Sequence, residues 1–205
     1  MNKLWGVLAA GVLAAFVASP ASAAIIFQDD FNRPNSTVVG NGWTEYQQSS
    51  SDVGITNGFM YLLDDASGFP DAGAAQLGGL SSLGLDNITL MYDWGPFSTS
   101  DPGDTLYVQW KLASSGTWIN LAVHDLGGSP VFASNTVSLG ATAANVSNIQ
   151  IRFATAVSRS NEGAGIDNVK LSGDPIRAVP EPGSMALLGV GLLGLGYLSR
   201  RRRNA

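Results

Sequence analysis

The residues best equipped for chemistry are two acid-rich pairs at opposite ends of the chain's central part. Asp29 and Asp30 stand near its start, and Asp167 and Asn168 near its close. Carboxylates, an amide oxygen and neighbouring carbonyls would make an all-oxygen donor set, which suits Ca2+ over softer metals. The two pairs can meet only if the first and last strands lie side by side. The same side chains have a local use as well, because Asp and Asn oxygens cap turns in their own backbone. Both uses remain open. A second acidic group, Asp64, Asp65 and Asp71, reads as a solvated loop.

Catalytic chemistry finds little support. A glycosidase needs two carboxyl groups flanking the scissile bond, one with a raised pKa. The central part offers two glutamates ahead of its proline-rich end, Glu45 and Glu162, far apart and in no shared motif. The lone histidine, His124, stands next to Asp125 and reads as a turn residue rather than a base, and no Gly-x-Ser-x-Gly elbow accompanies it. Gly78-Gly79 and Gly127-Gly128 open no helix, so there is no phosphate loop. The absence of cysteine excludes thiol chemistry and disulfides. The chain therefore reads as a non-enzyme, with a matrix-processing glycoside hydrolase as the alternative.

Binding chemistry is better supplied. Glycan sites combine aromatic rings that stack on sugar faces with a few orienting polar groups. In Leu106 to Leu112, Leu106, Val108 and Trp110 alternate with Tyr107, Gln109 and Lys111. That period of two buries one set and exposes the other, so Tyr107 and Gln109 are the candidate ligand contacts. Tyr46, Tyr61, Trp94 and Trp118 are further candidate ring contacts, but each reads first as a core residue, since large aromatics usually fill sandwich interiors. Between Ala24 and Pro182 there are sixteen acidic residues against six basic ones, ten negative charges in excess. Such a surface repels nucleic acid and anionic membranes.

These residues must be positioned by strands. No long segment from Ala24 to Asp174 has helical periodicity; short apolar or alternating runs are separated by Gly, Ser, Thr and Asn. The expected fold class is an all-β antiparallel sandwich over residues 24–173, with nine or ten strands. Strands are expected at Ala24–Phe27, Val53–Thr56, Phe59–Leu63, Ile88–Trp94, Leu106–Leu112, Thr117–Val123, Val131–Leu139, around Ile149–Phe153, and at Gly165–Leu171. Asn57-Gly58 is a type I′ hairpin signal. Residues 64–83 form the longest expected loop, and residues 174–184 read as a stiff proline-rich spacer.

Both ends carry targeting features. Lys3, the apolar run Leu4–Val17, and small residues at Ala21 and Ala23 make residues 1–23 a signal peptide cleaved after Ala23. At the other end, Val179-Pro180-Glu181-Pro182 precedes an apolar run from Met185 to Leu198, stopped by Arg200, Arg201, Arg202 and Arg203. Fourteen residues of helix span about 21 Å, a marginal membrane anchor over residues 185–199. Residues 200–205 then stay on the cytoplasmic side, because positive charge is retained there.

That tripartite tail resembles the PEP-CTERM sorting signal. The resemblance implies export from a Gram-negative bacterium, handling by an exosortase, transient anchoring in the inner membrane and a link to exopolysaccharide. The central part is similar to concanavalin-A-like and MAM-like jelly rolls. Asp29-Asp30-Phe31-Asn32-Arg33, Gly42-Trp43, the strand, turn and Trp from Leu106 to Trp118, Ile151-Arg152-Phe153 and Gly165-Ile166-Asp167-Asn168-Val169 carry that likeness, although a galactose-binding-type jelly roll fits the same runs. The likeness implies a structural calcium where the terminal strands meet. The Glu-x-Asp-x-x-Glu strand of laminarinase-like relatives is missing. Together these readings describe an exported surface or matrix protein that associates with exopolysaccharide. A purely structural coat or adhesion protein is the other non-enzymatic reading.

Overall fold

The computed structural model describes residues 22–63, 73–176, 189–192 and 200. The signal-peptide run with Ala21, the acids Asp64, Asp65 and Asp71, the Val179–Pro182 motif, most of the apolar tail and Arg201–Arg203 lie outside the described residues. Among the described residues, no helix is long and apolar enough to cross a membrane.

The chain forms β1 (Ala24–Asp29), β2 (Trp43–Tyr46), β3 (Val53–Thr56), β4 (Phe59–Leu63), β5 (Ala74–Leu80) and β6 (Leu85–Pro96). It continues with β7 (Thr105–Leu112), β8 (Ile119–Asp125), β9 (Ala133–Ser138), β10 (Ile149–Ala156) and β11 (Gly163–Pro175). One sheet runs β3-β4-β11-β6-β9, with β1 also paired to β11. The other runs β2-β5-β10-β7-β8. Every strand pair is antiparallel, so the domain is a two-sheet, jelly-roll-like sandwich.

Local sequence explains much of this. Asn57 and Gly58 both take positive φ (50° and 80°), which the tight β3–β4 hairpin demands. On β7, Leu106, Val108 and Trp110 face the core, and their β10 partners Thr155, Phe153 and Ile151 are buried with them. Between the sheets lie Phe31, Tyr92, Phe153 and a shell of Ile, Leu and Val at or near zero exposure. Trp43 packs against Phe27, Phe31 and Phe153 with ring centroids 5.9–6.0 Å apart.

Two strands depart from expectation. β2 is short, and β5 occupies the second half of the segment read as a loop. β5 is Ala-Ala-Gln-Leu-Gly-Gly-Leu, without a β-branched or aromatic residue to mark a strand. It forms nonetheless because Ala75, Leu77 and Leu80 are buried while β2 and β10 pair with its two edges. Its register slips by one residue opposite Ile149 and Ile151, and Gly79 at φ 73° accommodates the extra residue.

Candidate ligand-binding face

Strand register places the polar side of β7 in the middle of one continuous sheet face. One row across all five strands reads Tyr46, Ala74, Ala154, Tyr107, Val123. The next reads Thr44, Gln76, Arg152, Gln109, Asn120. Beyond it, Gln150 of β10 pairs with Lys111 of β7. Tyr46 and Tyr107 share a row three strand spacings apart, about 14 Å. Tyr46 is 43% exposed and Tyr107 half-buried, with buried alanines between them.

Tyr107 thus stands on the outer face, but Gln109 is not a surface hydrogen-bonder. It is buried, and its Oε1 accepts from Arg152 Nε at 2.9 Å and Nη2 at 2.6 Å. Its Nε2 donates to Asn120 Oδ1 at 2.7 Å. Gln109 therefore fixes the plane of the Arg152 guanidinium. Trp118, expected in the core, instead covers this arrangement from the β7–β8 loop and stays half-buried. Its ring centroid lies 4.2 Å from Arg152 Cζ and 4.7 Å from Lys111 Nζ. Arg152 and Gln150 alternate with buried Ile149, Ile151 and Phe153, so their outward direction was readable. Their neighbours were not, because pairing between β10, β5 and β7 is nonlocal.

The terminal strands do meet, since Asp29 pairs with Val169 in the β1–β11 ladder. Yet Asp29 is committed to protein donors. Its Oδ1 accepts from Arg33 Nη1 at 2.7 Å and Phe31 N at 2.9 Å. Its Oδ2 accepts from Arg33 Nη2 and Trp43 Nε1, both at 3.0 Å. Burial works to raise the Asp29 pKa, but hydrogen bonding from Arg33, Asn41 and the Phe31 amide, with the charge of Arg33, holds it below the ordinary carboxylate value. Asp29, expected as a calcium ligand, is thus the buried half of an ion pair with Arg33. Asp30 Oδ1 accepts from Asn32 N, a local turn cap. Asp167 Oδ1 caps Asn168 N at 2.7 Å, and Asn168 Nδ2 donates to Asp93 Oδ2 at 2.8 Å. Burial, then the charges of Asp93, Asp30 and Asp29, push the Asp167 pKa up. A cleft of about 490 Å3 opens beside these groups, lined in part by Gln28, Arg33, Asn41 and Lys170.

A second acidic group escaped the sequence reading because it joins two distant loops. Asp101, Asp104 and Glu162 bring carboxylate oxygens within 4.8 Å of one another and could coordinate a metal ion. Protein donors already serve them. Asp104 accepts from the Asp101 and Ser158 amides, while Glu162 accepts from Ser158 N, Ser158 Oγ and Arg159 Nη1. Burial and the charges of Glu162 and Asp101 raise the Asp104 pKa. Burial opposes ionisation of Glu162, but Ser158 and Arg159 more than offset it and lower that pKa. Glu45 belongs elsewhere, on β2, where its Oε1 accepts from Val39 N at 2.7 Å. Among the described residues the two glutamates share no hydrogen-bond partner.

His124 is a strand residue between the sheets, not a turn residue. Its partner in the β7 ladder is the buried Leu106, so the ring points inward. Tyr92 Oη lies 2.8 Å from His124 Nε2, Asn135 Nδ2 donates to Tyr92 Oη at 2.9 Å, and Trp94 stacks on the imidazole at 4.1 Å. Burial lowers the His124 pKa and pushes that of Tyr92 up to about 12.

Residues 178–203 match the PEP-CTERM protein-sorting motif. No curated protein matches the chain. Among solved structures, the chain is similar to a CBM4 module at 15% identity and TM-score 0.49, covering 71% of this chain and 97% of that one. A carbohydrate-binding module with specific mannan recognition is similar at 17% identity and TM-score 0.46, covering 75% and 99%. The K3 cleaved adhesin domain of Lys-gingipain from Porphyromonas gingivalis is similar at 14% identity and TM-score 0.41, covering 74% and 99%.

Proposed function

We propose that this is an exported, non-enzymatic protein, handed to an exosortase by its C-terminal tail, whose sandwich domain binds exopolysaccharide at the cell surface or in the extracellular matrix. One observation carries the binding half: Tyr46, Tyr107 and Trp118 stand among the amides of Gln76 and Gln150 on a single sheet face. Rings with partly accessible faces supply stacking surface, and amides on neighbouring strands meet sugar hydroxyls as donor or acceptor. A sheet holds these groups in place before the ligand arrives, so little ordering entropy is lost on binding.

Affinity electrophoresis of the detergent-purified full chain through polysaccharide-loaded gels tests this reading. Trp118→Ala and Tyr107→Ala should each weaken retardation about three- to tenfold, the worth of one aromatic contact. Unchanged retardation in both variants would remove the face from consideration. Sugar release from the producer's own exopolysaccharide, lost on Glu45→Gln or Glu162→Gln, would overturn the non-enzymatic reading. For the sorting half, the mature protein loses its tail near Pro180–Pro182. Intact-mass measurement of the released form checks this, and a species still ending at Ala205 would contradict it.

A further inference from the structure

We infer that a hollow on the outer face of the six-stranded sheet takes a methyl-ended group of a sugar, either an acetyl substituent or the methyl of a 6-deoxy sugar. The inference rests on reading the domain as a glycan binder and adds a second contact on the other sheet. Its starting point is a pair of glycines. Gly95 of β6 and Gly165 of β11 are direct cross-strand partners. The adjacent pair, Trp94 and Ile166, packs on the core side, so the glycines open outward.

Two glycines side by side leave a shallow seat in the sheet, and aromatic rings occupy it. A Cβ at Gly165 would lie 2.6 Å from the Phe132 ring and 3.0 Å from that of Phe59. One at Gly95 would lie 3.0 Å from Phe132. The Phe59 and Phe132 centroids are 5.4 Å apart with their planes inclined at 58°, and Phe97 stands 6.4 Å from Phe59 at 69°. The loop that carries Phe97 is tied to β11, since Phe97 N and Ser100 Oγ donate to Gly163 O at 2.9 and 3.0 Å. The rings are therefore in place before a ligand arrives.

A hollow of about 590 Å3 opens among these rings, lined also by Pro130, Ser98 and Asn161, and that size suits a small group. Its shape selects the ligand. A pyranose face stacks on one flat ring, whereas rings steeply inclined to one another form a cup that suits a compact apolar group. Phe132 is 42% exposed, so a methyl group seated there takes apolar surface of both partners out of water. Polar groups at the rim complete the match. Thr99 Oγ1 donates to the backbone carbonyl of exposed Asn161, so the side-chain amide is not spent on holding the loop. That amide and the Ser98 hydroxyl can bond a carbonyl or hydroxyls beside the methyl group. Ten residues of β11 separate Gly165 from Pro175, about 33 Å, and the chain continues from there toward the sorting motif. Glycan binding in this hollow and sorting thus use opposite ends of the sheet.

The test is affinity electrophoresis of the detergent-purified full chain through acetylated glucomannan, the same polymer after alkaline deacetylation, and a rhamnan. The expected result is that the acetylated polymer or the rhamnan retards the protein about fourfold more than the deacetylated one, the effect of one buried methyl group. Preference for the first assigns an acetyl group, and preference for the second a 6-deoxy sugar. Phe132→Ala should remove that preference. Asn161→Ala should weaken retardation by the preferred polymer about two- to tenfold, the effect of one hydrogen bond. Because Asn161 is exposed, its substitution reads the hollow without disturbing the ring cluster. Equal retardation by all three polymers overturns the methyl-ended class while leaving glycan binding intact. A preference unchanged in both variants overturns the assignment to this hollow, and weakening by Trp118→Ala would then still support the other face. Retardation by no polymer overturns this inference and the glycan-binding reading together.

Discussion

Asp29→Asn is the most informative single substitution, because Asp29 joins the first strand, its following loop and the core. The carboxylate is 5% exposed and accepts four hydrogen bonds, two from Arg33, one from Phe31 N and one from Trp43 Nε1. Arg33 Nε in turn donates to Val39 O at 2.9 Å, so the ion pair also anchors that loop. An asparagine keeps the shape but turns an NH2 group toward donors and leaves Arg33 without its counter-charge. Removing one partner of a buried pair costs about 3–5 kcal/mol. Arg33 is 28% exposed, so water recovers part of that, and a loss of about 3 kcal/mol is expected. For a domain of this size the loss corresponds to about 10 °C in melting temperature. Urea denaturation followed by tryptophan fluorescence measures it. The pH dependence supplies a second check. The folded pKa of Asp29 is depressed, so its contribution is complete above the ordinary value of 3.8 and is lost as pH falls from there through the folded pKa. The variant should lack that component of acid sensitivity. A loss below about 1 kcal/mol with an unchanged acid limb would refute the ion-pair account.

Further outcomes follow from other buried contacts. His124 has a lowered pKa, so stability should be complete above about 6.5 and decline as pH falls below it; His124→Gln should flatten that slope in melting curves between pH 7.5 and 5.5. Ser82 is fully buried, with its hydroxyl 2.6 Å from Ala143 O and accepting from Val146 N at 3.1 Å. Ser82→Ala should cost about 1–3 kcal/mol in urea denaturation, because those backbone groups lose their partner. A Cβ at Gly163 would lie 2.0 Å from the Leu62 carbonyl oxygen, so Gly163→Ala should lower stability by about 3 kcal/mol as the β4–β11 pair is forced apart. A melting temperature within 2 °C of the parent would show that the pair can yield.

Much of the sandwich was legible because its signals are local. A period of two on β7 distinguished Leu106, Val108 and Trp110 from Tyr107 and Gln109, and Asn57-Gly58 marked its hairpin without reference to anything distant. The tail was legible for the same reason: the order of its proline, apolar and arginine segments is itself the matched motif. β5 was hidden because alanine and glycine carry no strand preference, and its stability comes from the strands on either side. Trp118 gave no local hint that Arg152 of β10 would lie against its ring.

The sequence by itself determined which side chains of each well-patterned strand point away from the core, because alternation is a property of one strand. Which of those residues become neighbours, and which of them are covered, was decided only by tertiary structure. Register between β2, β5, β10 and β7 depends on how both sheets fill one core, and a one-residue slip would turn a strand's side chains to the other face. That register sets Tyr46 in a row with Tyr107 and brings Gln109 against Arg152. The same holds for Asp29. Its acidity is written in the chain, but packing around Trp43 set the Arg33 guanidinium against it.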